Sequence, residues 1–288
     1  MNSDHTPQRI VCLQPSATVI LAEMRKLDRV VACTKYCAEM LELCGFGAGE
    51  GVGPCVAIVA DSWTAKSDEI LAAKPDLVIG AVPYQEKAIA EIMKSGARFL
   101  GLAPRLLADI YTDIAVIAGT MGVAERGEQV IAEMKQEVQA MLVATRGLDR
   151  PRVFCEEWGK PIITSQKWVT ELVEAAGGSF AGQPGAQTSA EAIFREDPGV
   201  LIASWCGAGD RVPLEKIVRD RQWQGMRAVR EGRVYCIRDE FLNTPAPTLI
   251  TGLRALAAAI HPGRFPQAAG LRCMAAVAPR EARPNLAI

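Results

Sequence analysis

The chain has 288 residues, 49% hydrophobic and 23% charged, with 32 basic against 33 acidic side chains. A net charge of -1 gives no electrostatic case for phosphate backbones, so no nucleic acid partner is expected, and two histidines, His5 and His261, are too few for a histidine-built metal site. This length suggests about two lobes with cores of their own, and no window approaches the ~20 apolar residues of a bilayer span, so no direct membrane insertion is expected.

Short apolar runs alternate with helix-period segments, the pattern of an α/β chain with parallel sheets. Strands are predicted at 9–13 (RIVCL), 29–32 (RVVA), 77–80 (LVIG) and 98–101 (RFLG). A helix starts near Ser16 behind Pro15, and another at Ser67, where Ser67, Asp68 and Glu69 can cap it and complement its dipole until Pro75 ends it. Residues 106–147 read as helical with interruptions near Gly119 and Gly122. Within them Val130, Ile131, Met134, Val138, Met141 and Leu142 recur at helical spacing without a proline, which predicts one unbroken helix over 124–145, a spine between two βα blocks. Strands resume at 152–155, 161–164, 200–204 and 233–237, a helix over 168–176 stops at Gly177 and Gly178, and a capping box of Thr188 and Glu191 opens a further one. The expected organisation is an N-terminal lobe at 9–105, a helical connection at 106–149 and a C-terminal lobe at 150–262. Pro266, Pro279 and Pro284 in an alanine-rich end predict a flexible tail at 263–288.

Catalytic signatures are missing: the chain has no GxSxG, Walker A, GxGxxG or CxxC pattern, and no enzyme is expected. The glycine-rich stretch at 45–54 joins no clear strand to a clear helix and reads as a mobile lip rather than a phosphate cradle. Nine cysteines lack the dense spacing of a secreted disulfide scaffold, and residues 1–22 lack a basic start with an unbroken apolar run. Both features predict a cytoplasmic protein with reduced thiols. Cys12, Cys33, Cys155 and Cys206 fall at or just beyond predicted strand ends, where open α/β sheets form their crevices. Two readings stand: cysteine as a small buried hydrophobe, or a thiolate site in which Cys37 and Cys206, with some of Cys33, Cys55 and Cys155, hold a soft metal or an iron-sulfur cluster. The second predicts that Cys37 and Cys206 face one another across the crevice. Trp63, Trp158, Trp168 and Trp205 stand near element ends, and Tyr36 adjoins Cys37; such rings can wall a pocket for a planar ligand.

The stretches RIVCLQPSATVILAEM, DRVVACTKYC, SDEILAAKPDLVIG, KWVTELVEAAGG and RVYCIRDEFLNTPAPTLITGLRALA, with the spine between them, resemble the cobalamin and iron-siderophore substrate-binding proteins of ABC importers. That is the helical-backbone class with two βα lobes, and the likeness covers about residues 9–262. It implies a non-enzymatic protein holding a corrinoid such as cobalamin, or a related metal chelate, between its lobes. Tyr36, Trp63 and Trp158 match ligand-contacting aromatics, and Asp239 matches a cleft acid. Asp68 or Glu86 on one lobe, and Glu191 on the other, match the acids that dock to an ABC permease. Cysteines at the positions of Cys37 and Cys206 are similar to a leaderless subgroup labelled cobalamin-binding. Two motifs depart from the family: Ala38-Glu39-Met40 replaces its prolines, and Pro245-Ala246-Pro247-Thr248 lacks its arginine. An exported importer subunit whose leader was missed remains the other reading of location.

Overall fold

The computed structural model describes residues 6–46, 56–82 and 86–275. The apolar run Ile10–Cys12 forms β1, buried at all three positions, and Pro15 opens α1 (Pro15–Glu23), where its missing N–H would have had no helical partner. There follow β2 (Val30–Cys33), α2 (Lys35–Leu43), β3 (Ala57–Ile58), α3 (Ser67–Ala72), β4 (Leu77–Ala81), α4 (Glu86–Lys94) and β5 (Arg98–Leu102). All pairings in this sheet are parallel, in the order β3-β2-β1-β4-β5. The order reverses at β1, and open α/β sheets take ligands outside the carboxyl ends of strands at such a point. Ser67 does not cap α3 as predicted: its hydroxyl donates to Glu91 Oε2 on α4 at 2.7 Å, so it ties two helices together.

The connection is a helical hairpin, α5 (Leu107–Thr120) and α6 (Ala124–Ala144), turned at Gly122 with φ +69. α6 is the unbroken spine helix. Val130 and Met134 are buried along it, but Leu142 at its far end is 41% exposed because the helix outruns the core there. A Cβ on Gly127 would lie 2.4 Å from that of Ala118, so the glycine lets the two helices close on each other.

The second lobe contains β6 (Arg152–Gly159), β7 (Ile162–Thr164), α7 (Lys167–Ala175), β8 (Ser179–Phe180), β9 (Gln187–Thr188), α8 (Ala190–Glu196), β10 (Val200–Ala203), α9 (Leu214–Asp220) and α10 (Arg227–Arg230). It ends with β11 (Val234–Ile237), α11 (Asp239–Leu242), α12 (Leu249–Ile260) and β12 (Leu271–Cys273). Its sheet runs β12-β11-β10-β6-β7-β9, with β8 also beside β6. This sheet is mixed rather than parallel throughout: β6–β7, β7–β9 and β11–β12 are antiparallel. The reason is chain length. Two residues, Lys160 and Pro161, separate β6 from β7, enough for a hairpin and far too few for a crossover.

Two further expectations are corrected. The cap of α8 is Ser189, whose side chain accepts from the Ala192 amide, because Thr188 already belongs to β9. The tail is not flexible from 263 onward: β12 pairs with β11, and the Met274 amide donates to Val234 O at 2.8 Å. Three residues carry too little periodicity for that strand to stand out among prolines and alanines. No helix among the described residues is long and apolar enough to cross a membrane.

One apolar cluster runs from Ile10 and Ile20 through Ile110, Ile114 and Met134 to Val169, Leu253 and Ile260, so both lobes and their connection share a core. Each such side chain, fully buried, contributes about 1.5–3 kcal/mol. Polar ties reinforce it: the Leu107 amide at the start of α5 donates to Glu171 Oε2 on α7 at 2.7 Å, and Trp168 Nε1 donates to Leu242 O at 2.9 Å.

Candidate ligand-binding site

In the first lobe the exposed aromatics stand at strand ends. Tyr36 lies in the first turn of α2, two residues past the cap Thr34, whose hydroxyl accepts from the Cys37 amide at 3.1 Å. The turn Asp61-Ser62-Trp63-Thr64 follows β3. Asp61 Oδ1 accepts from the amides of Trp63 and Thr64 at 3.0 and 2.9 Å, a side-chain closure characteristic of Asx turns. Ser62 is buried, and its hydroxyl donates to Leu13 O and accepts from the Ala81 amide, both at 3.1 Å. It thereby sews the turn to the ends of β1 and β4. A Cβ on Gly80 would come within 2.7 Å of that hydroxyl, so the glycine in β4 makes room for the stitch. Sequence reasoning named Trp63 and missed the Asp61 and Ser62 that seat it.

The second lobe presents Trp158 at the end of β6, beyond a register shift between Glu156 and Trp158 in the pairing with β7. Such bulges re-aim side chains. Trp158 Nε1 donates to Lys160 O at 3.0 Å. Next to it Glu157 accepts from Gln166 Nε2 at 2.9 Å and takes a contact from Cys206 Sγ at 3.9 Å; burial raises its carboxyl pKa against those hydrogen bonds. Asp239, the predicted cleft acid, serves as a loop clamp. Its two carboxylate oxygens accept from the amides of Gly207 and Gly209 at 2.8 and 2.7 Å, while burial raises its pKa. Of the other predicted wall rings, Trp168 is buried and Trp205 packs against Gly159.

The thiolate reading does not survive. Cys37 and Cys206 do not face one another: Cys37 is buried in the first-lobe core, whereas Cys206 is exposed on the second lobe. Cys37 Sγ accepts from Thr34 Oγ1 at 3.2 Å and neighbours Cys12 and Cys33. Burial disfavours its thiolate, but hydrogen bonds from Cys33, Thr18 and Thr34 outweigh it and hold the thiol below the usual cysteine range. Cys206 is pushed up to about 12, first by desolvation and then by the charges of Glu157 and Asp239, which keeps it a neutral thiol. Cys155 is buried in β6, and burial pushes its thiol up too. Cys55 lies outside the described residues, as does most of the glycine-rich stretch. Among the described residues no three Cys, His, Asp or Glu side chains converge so as to hold a metal ion.

The three predicted docking acids, Asp68, Glu86 and Glu191, are exposed in the first turns of α3, α4 and α8. Acids there are favoured by the helix dipole in any case.

The sequence pattern of the periplasmic binding protein family matches residues 10–241. The chain belongs to that family. It is a binding protein and not an enzyme. Membership overturns the cytoplasmic expectation, and the fold shows what misled it: five of the eight described cysteines are buried, so they fill cores rather than report on a redox compartment. This periplasmic binding protein is 24% identical over 254 residues to a vitamin B12-binding protein of Vibrio parahaemolyticus, covering 85% of this chain and 86% of that one. It is 23% identical over 275 residues to a cobalamin-binding protein of Halobacterium salinarum, covering 90% and 70%. Its fold matches the periplasmic vitamin B12 binding protein of Vibrio cholerae with a TM-score of 0.68 at 22% identity, covering 88% and 96% of the two chains. A periplasmic heme binding protein of Pseudomonas aeruginosa gives 0.79 at 18%, covering 93% and 98%. The two-lobe α/β reading is thereby established.

Proposed function

We propose that this chain holds a corrinoid between its lobes and hands it to an ABC permease. The observation that supports this most is the set of three partly exposed rings at strand ends: Tyr36 at 40%, Trp63 at 40% and Trp158 at 45% exposure. Partly exposed rings gain apolar contact when a flat ligand covers them, and the polar groups beside Trp158, Glu157 and Gln166, suit the amide fringe of a corrin. Relatives named for vitamin B12 and cobalamin support the same ligand class. Asp239 serves the site by shaping the loop around Cys206. Asp68 or Glu86, with Glu191, are the surface acids for the permease.

Calorimetry with cyanocobalamin, with hemin in parallel, tests the reading. Cyanocobalamin should bind and Trp63→Ala should weaken it by about 0.5–1.5 kcal/mol beyond the lost area, roughly a 2- to 12-fold rise in Kd at least. A parent that binds only hemin, or neither compound, defeats the corrinoid assignment. Unchanged affinity in the variant takes Trp63 out of the site.

A further inference from the structure

Behind the second-lobe rim lies a buried network that ligand contact alone does not use. Glu156, on β6, has a side chain 2% exposed and Arg221, just after α9, one 12% exposed. Arg221 Nη1 donates to Glu156 Oε2 at 2.5 Å and Nη2 to Oε1 at 2.7 Å, a fork-to-fork pairing that fixes the plane of both groups. Nη2 also reaches Gly159 O at 3.2 Å, and the guanidinium lies 4.9 Å over the Trp223 ring. Trp205 Nε1 donates to Glu156 Oε1 at 2.8 Å, and its indole presses on Gly159 so closely that a Cβ there would fall 2.4 Å from the ring. Glu156 and Gly159 stand on either side of the register shift that aims Trp158. One guanidinium therefore grips both ends of the bulge, and one indole braces it.

We infer that Arg221 and Glu156 are positioning residues for Trp158, and that they set affinity for a flat ligand from the dry side of the sheet. A buried ion pair is poor evidence of stability, since apolar replacements of such pairs are often neutral or stabilising. A planar fork satisfied on several sides instead specifies orientation, which a lysine in the same place would not. Trp158 thus keeps one presentation although nearly half of its surface is bare. The ligand in this inference rests on the corrinoid reading; the positioning does not.

Two measurements separate the claims. The chain contains five tryptophans, so 5-fluorotryptophan labelling gives a tractable fluorine spectrum, with the Trp158 signal assigned by Trp158→Phe. Arg221→Lys keeps the charge and loses the fork; Trp205→Phe keeps the ring and loses the donor to Glu156. Both should shift or broaden the Trp158 resonance and leave that of Trp63, on the other lobe, in place. Cyanocobalamin Kd should rise about tenfold in Arg221→Lys, and adding Arg221→Lys to Trp158→Ala should cause no further loss, because residues acting through one another are not additive. Equal losses in both backgrounds mean a merely structural role and overturn the inference. So does an unmoved Trp158 resonance in a folded Arg221→Lys protein. If the parent binds no cyanocobalamin, the corrinoid reading fails by itself and the fluorine spectrum alone decides the positioning.

Discussion

The two lobes hold their exposed tryptophans by opposite means. Trp63 is seated without an ion pair: Asp61 closes the turn within three residues, and the Ser62 hydroxyl stitches it by single hydrogen bonds to two strand ends, 49 and 19 positions away. Trp158 is seated by a buried ion pair whose partners lie 65 positions apart. The first device rests on single hydrogen bonds, each replaceable on its own. The second couples the rim to the packing of the whole lobe, so damage to it should spread further.

That contrast can be broken by measuring unfolding in urea. Glu156→Ala leaves Arg221 buried without its partner and should cost about 3–5 kcal/mol. Ser62→Ala leaves the Leu13 carbonyl and the Ala81 amide short of one hydrogen bond each and should cost about 1–3 kcal/mol. The reverse order would show that the first rim is the structurally coupled one.

A smaller effect separates the rims from the connection between them. Asp113 on α5 has its carboxyl pushed up to about 6, by burial first and then by the charge of Asp109. Its folded pKa lies above its unfolded one, so its contribution to stability is complete below the ordinary aspartate range and is lost as pH rises through about 6. Asp113→Asn should therefore be more stable than the parent above about pH 7, with the advantage gone below about pH 4. Urea midpoints across that range provide the check, and an advantage that persists at low pH would contradict the assignment. Smallest of all, Cys206→Ser should change stability by no more than about 0.5 kcal/mol, since a hydroxyl can keep both partners of the neutral thiol, Glu157 and Asn243. A larger loss would give Cys206 the structural weight in the second rim that is here assigned to Glu156.

Much of the fold was legible because it obeys a period. β1, β2, β4 and β10 are runs of apolar residues, and α6 runs for 21 residues without a proline. The parts that were not legible are short or long-range. β9 and β12 have two and three residues, too few for any alternation to register. Cys33, Cys37 and Cys155 suggested metal chemistry because a thiol at or near a strand end looks alike in sequence whether it faces solvent or core. The Asx turn at Asp61 could have been found from Asp preceding Trp and Thr, but nothing near Glu156 in sequence announces Arg221. Asp239 was legible as a residue of interest; that both its oxygens hold the loop Gly207–Gly209 depends on a fold that brings β10 and β11 side by side.

The core shared by the two lobes has a consequence for how the chain comes apart. Ile110, Ile114 and Ile117 of the connection are fully buried within the same cluster as Leu21 of the first lobe and Leu172 of the second. A cut through this molecule at any point in the connection would bare an apolar seam on both fragments. Neither lobe should then be a free-standing folding unit: heating should give one calorimetric peak rather than two, and either half expressed alone should aggregate unless the other is supplied to cover the seam.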